Sequence, residues 1–600
     1  MTIRKFSFEI EGLFKAAGEI DINDSITPPV TKPEPPVSKP VPPIGTIPPV
    51  IPDGSRDITE FGVSSINSQL EGLMFRGNWY PGMPKPAEDG YWIGYTEYPV
   101  IIKVKGGVKT VEKAKSWIGT PEWNALDLSA VNLYIPSGIY LLLQGPGMNP
   151  LWYQKTKSIS GSGTLIAVNS DRAQRYNNIS SLGISGVKLV NIRTDNTPAI
   201  SQNQFYNGAG VALIDQLEKS RNAITCESID ASITAYDAAI DANAVLRAGF
   251  YIDRAKSVDI NGGYVKALSA DNGIRIGRVL TSCKVKGFTT GKNFNTGIQA
   301  SSNREAVSEG FDFSNNLIEG VLEEGLGFDS YANNLYQIPV IGVAEVVSSS
   351  GKSVTLGQLY FIEEVVVGKQ YRKKEVSPGF IGTATNYKLV VQDEYRVADI
   401  ISYSVEGNSL TLNLSDSVQV GRKVSIVSGF YKCKLHDNEI KGVKPASGQP
   451  GHGLSLWGGG FFNTVKNNRV TGSRNGLQLA SIGGFGLDEF FCHSIGNIVE
   501  GNFFIGCDTA FLITSENSHR LSSDQSFISN TCEEGGFLIK NQRNLTLAGN
   551  VFKGNTGLIE NVSGVFEGGQ LIDTVITVKN SPNLSIGQID LIGNSDIKRV

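Results

Sequence analysis

Four acidic side chains are spaced so that they could meet and carry out acid–base chemistry. They are Glu323, Glu324, Asp329 and Asp271. Three of them surround Gly325, and the fourth lies at the equivalent place two sequence repeats earlier. A pair of carboxyl groups, one protonated and one ionised, can act as general acid and general base. We therefore take these four as candidate catalytic residues.

A second group of titratable side chains lies in two long segments nearer the C-terminus. After Leu479 come Asp488, Glu489 and His493, and after Ile513 come Glu516, His519, Arg520 and Asp524. Long loops between short strands are commonly functional. Glu489 or Asp488 with Glu516 forms an alternative acid–base pair, while Arg520 and His519 could bind an acidic ligand. For both groups, ordinary solvated turn charges remain the competing interpretation.

Two short repeated patterns indicate what positions these side chains. One is a glycine followed by an apolar, a variable and an apolar residue, at Gly249, Gly273, Gly297, Gly325, Gly453, Gly476, Gly536 and, cut short, Gly557, with Ala510 as a variant. The other runs Asn, variable, apolar, variable, Gly, from Asn316, Asn438, Asn468, Asn502 and Asn550, with an imperfect copy at Asn530. Apart from one large gap, the marks recur about every 20 to 35 residues.

This spacing predicts an all-β right-handed parallel β-helix. The apolar runs are short period-2 strands, and one turn is too small to close a core alone. Leucine-rich repeats need a helical half-turn, and propeller blades repeat at about 40 residues or more, so neither fits. Stacked turns would bring equivalent residues about 4.8 Å apart and would align the asparagines in a hydrogen-bonded ladder.

Alignment on the glycines brings two further residues to the first acidic group. His452 and Trp457 take the places of Glu324 and Asp329 in the next turn. The alternation of inward and outward side chains cannot be followed through the glycine. The sequence therefore leaves open which of Glu323 and Glu324 faces outward.

The middle residue of the glycine pattern is expected to face outward. It is Tyr251 and Arg275 in early turns, which suit contacts with a ligand, but Leu512 and Leu538 in late turns. An outward apolar strip favours packing between subunits.

Domain boundaries follow from composition and from the gap in the repeat. Between Gly325 and Gly453, short strand patterns predict an inserted antiparallel β domain over 336–430. Residues 28–52 hold 11 prolines and form an extended spacer. The other segments are an N-terminal attachment segment (1–27), an entry region (53–150) with a helix around Val111–Ile118, two parts of the β-helix (151–335 and 431–579) and an end segment (580–600).

The composition limits the kinds of partner and cofactor that the protein is expected to bind. The formal net charge is −4 with both signs scattered, so nucleic acid is not expected. No apolar run approaches the roughly 18 residues of a spanning helix, and the start lacks the apolar core of a signal peptide. Six cysteines without paired spacing indicate free buried thiols. In the absence of metal-binding motifs, we expect no metal and no cofactor.

The order of motifs after the spacer resembles a known family. Arg56-Asp-Ile-Thr-Glu-Phe-Gly-Val63, the strand pair Val131-Asn-Leu-Tyr-Ile-Pro-Ser-Gly-Ile-Tyr140 and Ser158-Ile-Ser-Gly-Ser-Gly163 precede the coils. Together they resemble the pectate-lyase-like bacteriophage tailspikes that degrade bacterial capsule or O-antigen. The resemblance implies a homotrimer on a virion tail, made in the host cytoplasm, with its site on the helix side or between subunits. Since the N-terminus is short for this family, we expect residues 1–27 to attach to a tail adaptor or a sister spike.

The resulting hypothesis is a depolymerase that hydrolyses a bacterial surface polysaccharide. Glycosidic hydrolysis needs two carboxyl groups about 5–5.5 Å apart for retention or about 6.5–9.5 Å apart for inversion, and stacked turns can supply either distance. Trp457 could stack on a sugar ring. Two alternatives remain: a polysaccharide lyase, which needs a base and a group that neutralises the uronate, and a non-catalytic glycan-binding fibre or adhesin.

Overall fold

The structure is a computed structural model of the chain. It describes residues 54–65, 74–75, 78–79, 90–95, 99–105, 108–113, 117–118, 123, 125–144, 156–169, 179–193, 209–213, 231–242, 245–267, 269–292, 294–302, 306–330, 339–366, 370–443, 451–484, 487–515 and 520–600. The predicted attachment segment (1–27) and proline-rich spacer (28–52) lie outside the described residues.

Parallel strand pairing runs from Ser55–Asp57 to Asp596–Arg599 in one continuous sheet. Each strand pairs with the equivalent strand one turn before and one turn after it, and this register separates three columns of strands. The predicted fold class, an all-β parallel β-helix with an inserted antiparallel β domain, is therefore confirmed. The homotrimer stays a prediction.

The three columns follow one another in each turn. The first column contains Ser55–Asp57, Asn132–Ile135, Ser158–Gly161, Gly183–Ser185, Ser232–Tyr236, Asp312–Ser314, Lys434–His436, Thr464–Lys466, Ile498–Glu500, Ser526–Ile528 and Leu584–Ile586. The second contains Ile139–Gln144, Thr164–Asn169, Lys188–Arg193, Ala239–Ala242, Tyr264–Lys266, Thr289–Thr290, Leu317–Glu319, Glu439–Lys441, Arg469–Thr471, Phe503–Ile505, Gln570–Ile572 and Asp590–Ile592. The third contains Ile179–Ser180, Ala209–Leu213, Phe294–Ser301, Glu324–Asp329, His452–Trp457, Asn475–Gly484, Thr509–Ser515, Val575–Lys579 and Asp596–Arg599.

Longer and shorter strands complete the coil. Val245–Asn261, Ser269–Lys286, Thr531–Ala548 and Val551–Glu567 each run through more than one column. Ser308–Glu309, Phe430–Tyr431 and Gly460–Phe461 form a small parallel sheet, and Ser522–Ser523 pairs with Thr531–Ala548. Leu487–Cys492 folds back antiparallel on the end of Asn475–Gly484.

Apolar side chains of the three columns fill one continuous core inside the coil, because each turn buries its inward residues against the next. Phe328 and Phe430, for example, stack with their ring centroids 4.9 Å apart. The predicted asparagine ladder is present at the bend between the first and second columns. From Asn316 through Asn438, Asn468, Asn502 and Asn530 to Asn550, each side-chain Nδ2 donates to the Oδ1 of the next asparagine at 2.9 Å.

The inserted domain leaves the coil after the third-column strand Glu324–Asp329. Its strands are Val340–Ser350, Ser353–Leu356, Leu359–Val366, Gln370–Val376, Lys388–Val391, Arg396–Glu406, Ser409–Leu414 and Lys423–Val427. Six of them close a ring, since Val340–Ser350 pairs with Ser353–Leu356 at one end and with Lys423–Val427 at the other. Two 3₁₀ turns, Pro378–Ile381 and Ala384–Asn386, join its strands, and an apolar core of its own fills the barrel.

Two expectations at the ends of the coil need correction. The helix expected around Val111–Ile118 is wrong, because Val108–Lys113 is a strand paired antiparallel with Pro99–Lys105, which also pairs with Gly90–Tyr95. The spacing of Lys and Glu around Val111 is compatible with both a strand and a helix. Pairing with the neighbouring strand Pro99–Lys105 selects the strand. In the segment 580–600, Leu584–Ile586, Asp590–Ile592 and Asp596–Arg599 continue all three columns rather than forming a separate end piece.

Other described parts of the chain are simple to place. The 3₁₀ turn Ile58–Phe61 is capped by Asp57, and Met74–Phe75 pairs with Asn78–Trp79. Within the ranges given above, no helix is long and apolar enough to cross a membrane. The five cysteines that fall in those ranges are buried, and none of them forms a disulfide, as expected.

Candidate active site

The first acidic group lies on the third column, beside the point where the barrel leaves the coil. Glu324 is in register with His452 in the next turn, and Asp329 is in register with Trp457. This is the register expected from the glycine alignment. Because strand and register are both fixed by backbone pairing, the positions of these side chains depend on the coil as a whole.

Glu324, rather than Glu323, turns its carboxyl group over the strand. A Cβ built on Gly327 would lie 2.5 Å from Oε1 of Glu324, so the carboxyl group occupies the space that a side chain at Gly327 would fill. Glu324 is 7% exposed and Asp329 is 3% exposed. Glycine at the outward position of this turn therefore makes room for an acid from the same strand.

The two carboxyl groups meet at one amide nitrogen. Nε2 of Gln299, in the preceding turn, donates to Oε2 of Glu324 at 3.2 Å and to Oδ2 of Asp329 at 2.9 Å. Oε1 of Gln299 accepts from Nδ2 of Asn272 at 3.3 Å. In the sequence, Gln299 is marked only as the middle, outward residue of the Gly297 repeat. The signal that could have singled it out is the glycine at the next outward position, which opens a path to the acids.

Burial and nearby negative charge raise the pKa values of both acids. The pKa of Asp329 is raised well above its usual value, first by burial and then by the negative charge of Glu324. Burial also raises the pKa of Glu324, against the lowering effects of Ser455, Arg275 and Gln299. Since one negative charge opposes the other in a water-poor site, the pair favours a state in which the two carboxyl groups share one proton.

His452 and Trp457 border the pair in the following turn. Nδ1 of His452 is 3.2 Å from Nδ2 of Asn475, and its ring makes an edge contact with Trp457 at 6.4 Å. Burial, followed by the charge of Arg474, lowers the pKa of His452 to about 4, so its imidazole is neutral at physiological pH. Nε2 of His452 makes no hydrogen bond within the described chain. Trp457 also packs on the apolar cluster that joins the barrel to the coil.

Glu323 and Asp271 form the edge of this site rather than its centre. Burial and the charge of Asp271, two turns earlier, raise the pKa of Glu323. Nδ2 of Asn295, from the turn between them, donates to Oδ1 of Asp271 at 3.3 Å.

Arg275 and Tyr251 occupy the outward positions before Gln299, and both are half-buried. The charge of Arg275 acts on both Glu324 and Asp329. Among the described residues, however, its guanidinium forms no hydrogen bond or ion pair. It is therefore available to a ligand beside the acids.

The second acidic group has a different environment. Oε1 of Glu489 accepts from Nζ of Lys373 in the barrel at 3.3 Å, and Asp488 is exposed. Nη1 of Arg520 is 3.4 Å from Oε1 of Gln392 and 4.0 Å from Oδ1 of Asp393, both in the barrel. These side chains thus lie at the contact between barrel and coil. Glu516 and His519 fall outside the described residues.

His493, which sequence analysis placed in this second group, is fully buried at the same contact. Its ring makes edge contacts with Tyr395 of the barrel at 5.4 Å and with Phe491 at 5.0 Å. Burial is the largest cause that lowers its pKa, to about 4, so the imidazole is neutral there as well.

Comparison with known proteins gives remote structural likenesses. No family model and no curated protein sequence matches the chain. Tailspike protein 3 of bacteriophage CBA120 aligns at 8% identity and a TM-score of 0.31, over 83% of this chain and 62% of that one. A periplasmic alginate epimerase aligns at 8% identity and a TM-score of 0.28, over 82% and 86%. The catalytic domain of a GH87 α-1,3-glucanase aligns at 10% identity and a TM-score of 0.27, over 78% and 64%. The fold assignment above rests on the strand pairing itself.

Proposed function

We propose that the protein binds and depolymerises a bacterial surface polysaccharide, capsule or O-antigen, by glycosidic hydrolysis. The observation that carries this proposal is the buried pair Glu324 and Asp329 held on one amide nitrogen, with raised pKa values and room for one proton between them. Such a pair supplies the acid and the ionised carboxylate that hydrolysis of a glycosidic bond requires.

The catalytic role of each acid depends on which of the two carries the shared proton. Asp329, whose pKa is raised further by its neighbour, donates a proton to the leaving glycosidic oxygen. Glu324 remains ionised beside Arg275 and faces the anomeric carbon. Trp457 offers a partly exposed aromatic ring for a sugar face.

The spacing of the pair favours retention of anomeric configuration. Because Oε2 of Glu324 and Oδ2 of Asp329 both accept from Nε2 of Gln299, at 3.2 Å and 2.9 Å, these two oxygens are at most about 6 Å apart, which accommodates the roughly 5–5.5 Å separation of retaining enzymes. Glu324 would then attack the anomeric carbon as Asp329 protonates the departing oxygen, forming a glycosyl ester. In the second step Asp329 takes a proton from water, and the resulting hydroxide displaces Glu324.

Assembly on a phage tail belongs to the same proposal. Leu512 and Leu538 are outward and half-buried on later turns of the third column, which suits packing in a homotrimer. Residues 1–27 would attach the protein to a tail adaptor or a sister spike. The location would be the virion tail.

A lyase is the second candidate, and a specific observation favours it. The guanidinium of Arg275 bonds to no described residue and could neutralise a uronate carboxylate, and the ionised Glu324 beside it could take the proton. Its reaction would remove a proton beside the carboxylate and expel the glycosidic oxygen, leaving a C=C bond in the product.

One experiment separates these activities. The full-length protein is incubated with a panel of purified capsular and O-antigen polysaccharides, and new reducing ends are measured. Hydrolysis predicts reducing ends without new near-ultraviolet absorption, and NMR of the first product should show the substrate's anomeric configuration. New absorption would favour the lyase. Binding without cleavage of any polymer would overturn both and leave a glycan-binding fibre.

A further inference from the structure

The outward side chain of the turn before the acids is as well defined as the acids themselves. Gln299 lies between Arg275 and Gly327 in the register of the third column. Since Gly327 has no side chain, the amide of Gln299 extends across it to both carboxyl groups. The carboxyl group of Glu324 lies in this same space above Gly327, which no side chain of that residue fills.

The orientation of this amide is set by its other contact. Asn272 is 3% exposed, and its Nδ2 can only donate, so the atom it meets on Gln299 is the carbonyl oxygen. The NH₂ group of Gln299 must then point to the acids, and each of its two hydrogens has a carboxyl oxygen as acceptor. Asn272, Gln299 and the two acids thus form one directed chain of hydrogen bonds over three turns.

We infer that Gln299 is a positioning residue that holds Glu324 and Asp329 face to face and sets how they share their proton, with Asn272 fixing its orientation. Two N–H donors favour the ionised form of whichever carboxyl group accepts them. They therefore oppose burial and mutual repulsion, which would otherwise keep both acids protonated. This inference rests on the proposed function and adds to it the residues that tune its acid and base.

The test compares Gln299→Leu with Gln478→Leu in the full-length protein. Gln478 belongs to the same outward column, beyond Ser455, and it is buried, but it makes no hydrogen bond to either acid. Loss of hydrogen bonds to charged groups is expected to lower kcat of Gln299→Leu by about 10- to 100-fold, with little change in KM. The acid limb of its pH–rate profile should move to higher pH. Gln478→Leu should keep the wild-type profile.

Two further measurements keep the inference testable if Gln299→Leu does not fold. Asn272→Ala frees the amide to rotate and should shift the profile in the same direction, by less. The C=O band of the protonated carboxyl group, followed by infrared difference spectroscopy against pH, requires no substrate. It should titrate at higher pH in Gln299→Leu or Asn272→Ala and disappear in Asp329→Asn.

The outcomes separate the inference from the proposed function. Unchanged pH profiles and unchanged carboxyl titration in the folded variants would overturn the inference, as would an equal shift in Gln478→Leu. If the wild-type protein cleaves no polymer, the proposed function fails. The infrared titration still tests whether Gln299 controls the protonation of the acid pair.

Discussion

The third column of the coil and the contact between coil and barrel hold similar residues in opposite circumstances. In both regions, carboxyl groups, an arginine and a histidine come together from turns that are distant in sequence. On the third column, Glu324 and Asp329 share a neutral amide and are buried, and no cation of the described part of the chain is bonded to either. At the contact, Glu489 pairs with Lys373, and Arg520 reaches Asp393. Density of charge alone therefore does not distinguish a reactive site from a docking surface; the pairing of each charge does.

The largest expected effect comes from removing the acids themselves. Glu324→Gln and Asp329→Asn should each reduce depolymerisation by at least about a thousandfold, since each removes one half of the acid–base pair. The double variant should be hardly worse than either single one, because the two groups act as a unit. Activity is measured by release of reducing ends. Glu489→Gln is the control from the other region, and a loss comparable to that of Glu324→Gln would reverse the assignment of the two regions.

Filling the space above Gly327 with a methyl group is expected to reduce activity less than removing either acid of the same pair. The Cβ of Gly327→Ala would lie 2.5 Å from Oε1 of Glu324 and 3.1 Å from Cβ of Ser455, so the carboxyl group must move and the strand of Ser455 must shift slightly. We expect kcat/KM to fall by about a hundredfold, with unfolding stability nearly unchanged. Gly379→Ala in the barrel is the matched control, because a Cβ there meets nothing within 4 Å. Equal activity of the two alanine variants would show that the position of Glu324 is not critical.

The buried histidine of the contact predicts sensitivity to acid. The pKa of His493 is about 4 in the folded protein, below its usual value of 6.5, so the unfolded chain binds this proton first as the pH falls. Stability is therefore lost between about pH 6.5 and pH 4, by about 2 kcal/mol from pH 7 to pH 5 for this residue. His493→Phe keeps a ring against Tyr395 and cannot take up the proton.

Denaturant unfolding of both proteins at pH 7 and pH 5 checks this. The wild type should lose more stability than His493→Phe over that interval. If both lose the same amount, His493 is not the titrating group.

The smallest effect is expected at the ion pair between barrel and coil. Lys373 and Glu489 each leave 37% of the side chain exposed, and such pairs contribute less than about 1 kcal/mol. Lys373→Gln should cost slightly more than Glu489→Gln, because Nζ of Lys373 also lies 4.0 Å from the centroid of the Tyr360 ring. A double-mutant cycle on unfolding stability measures the coupling, and both variants should retain activity within about twofold. A coupling of several kcal/mol would contradict this picture.

Much of the fold was predictable because it depends on a local signal repeated many times. Glycine and asparagine marks at short intervals predicted the parallel coil, the asparagine ladder and the register that sets Glu324 opposite His452. The inserted barrel followed from the one large gap in these marks. The helix expected around Val111–Ile118 failed because a short stretch that contains Lys, Glu and Val satisfies both periods, and only pairing with Pro99–Lys105 selects the strand.

The sequence by itself determined which turns are neighbours, since backbone pairing between repeats obeys a regular spacing. Tertiary structure alone decided which side chains meet within those turns. The bend at residues 322–323, just before the strand Glu324–Asp329, leaves Glu323 at the edge while Glu324 turns its carboxyl group over the strand, and alternation cannot be followed through such a bend. The absence of a side chain at Gly327 then brings Gln299 within reach of both acids. The partner of Glu489 is a lysine of the barrel, 116 residues away in sequence, and no local pattern could have specified it.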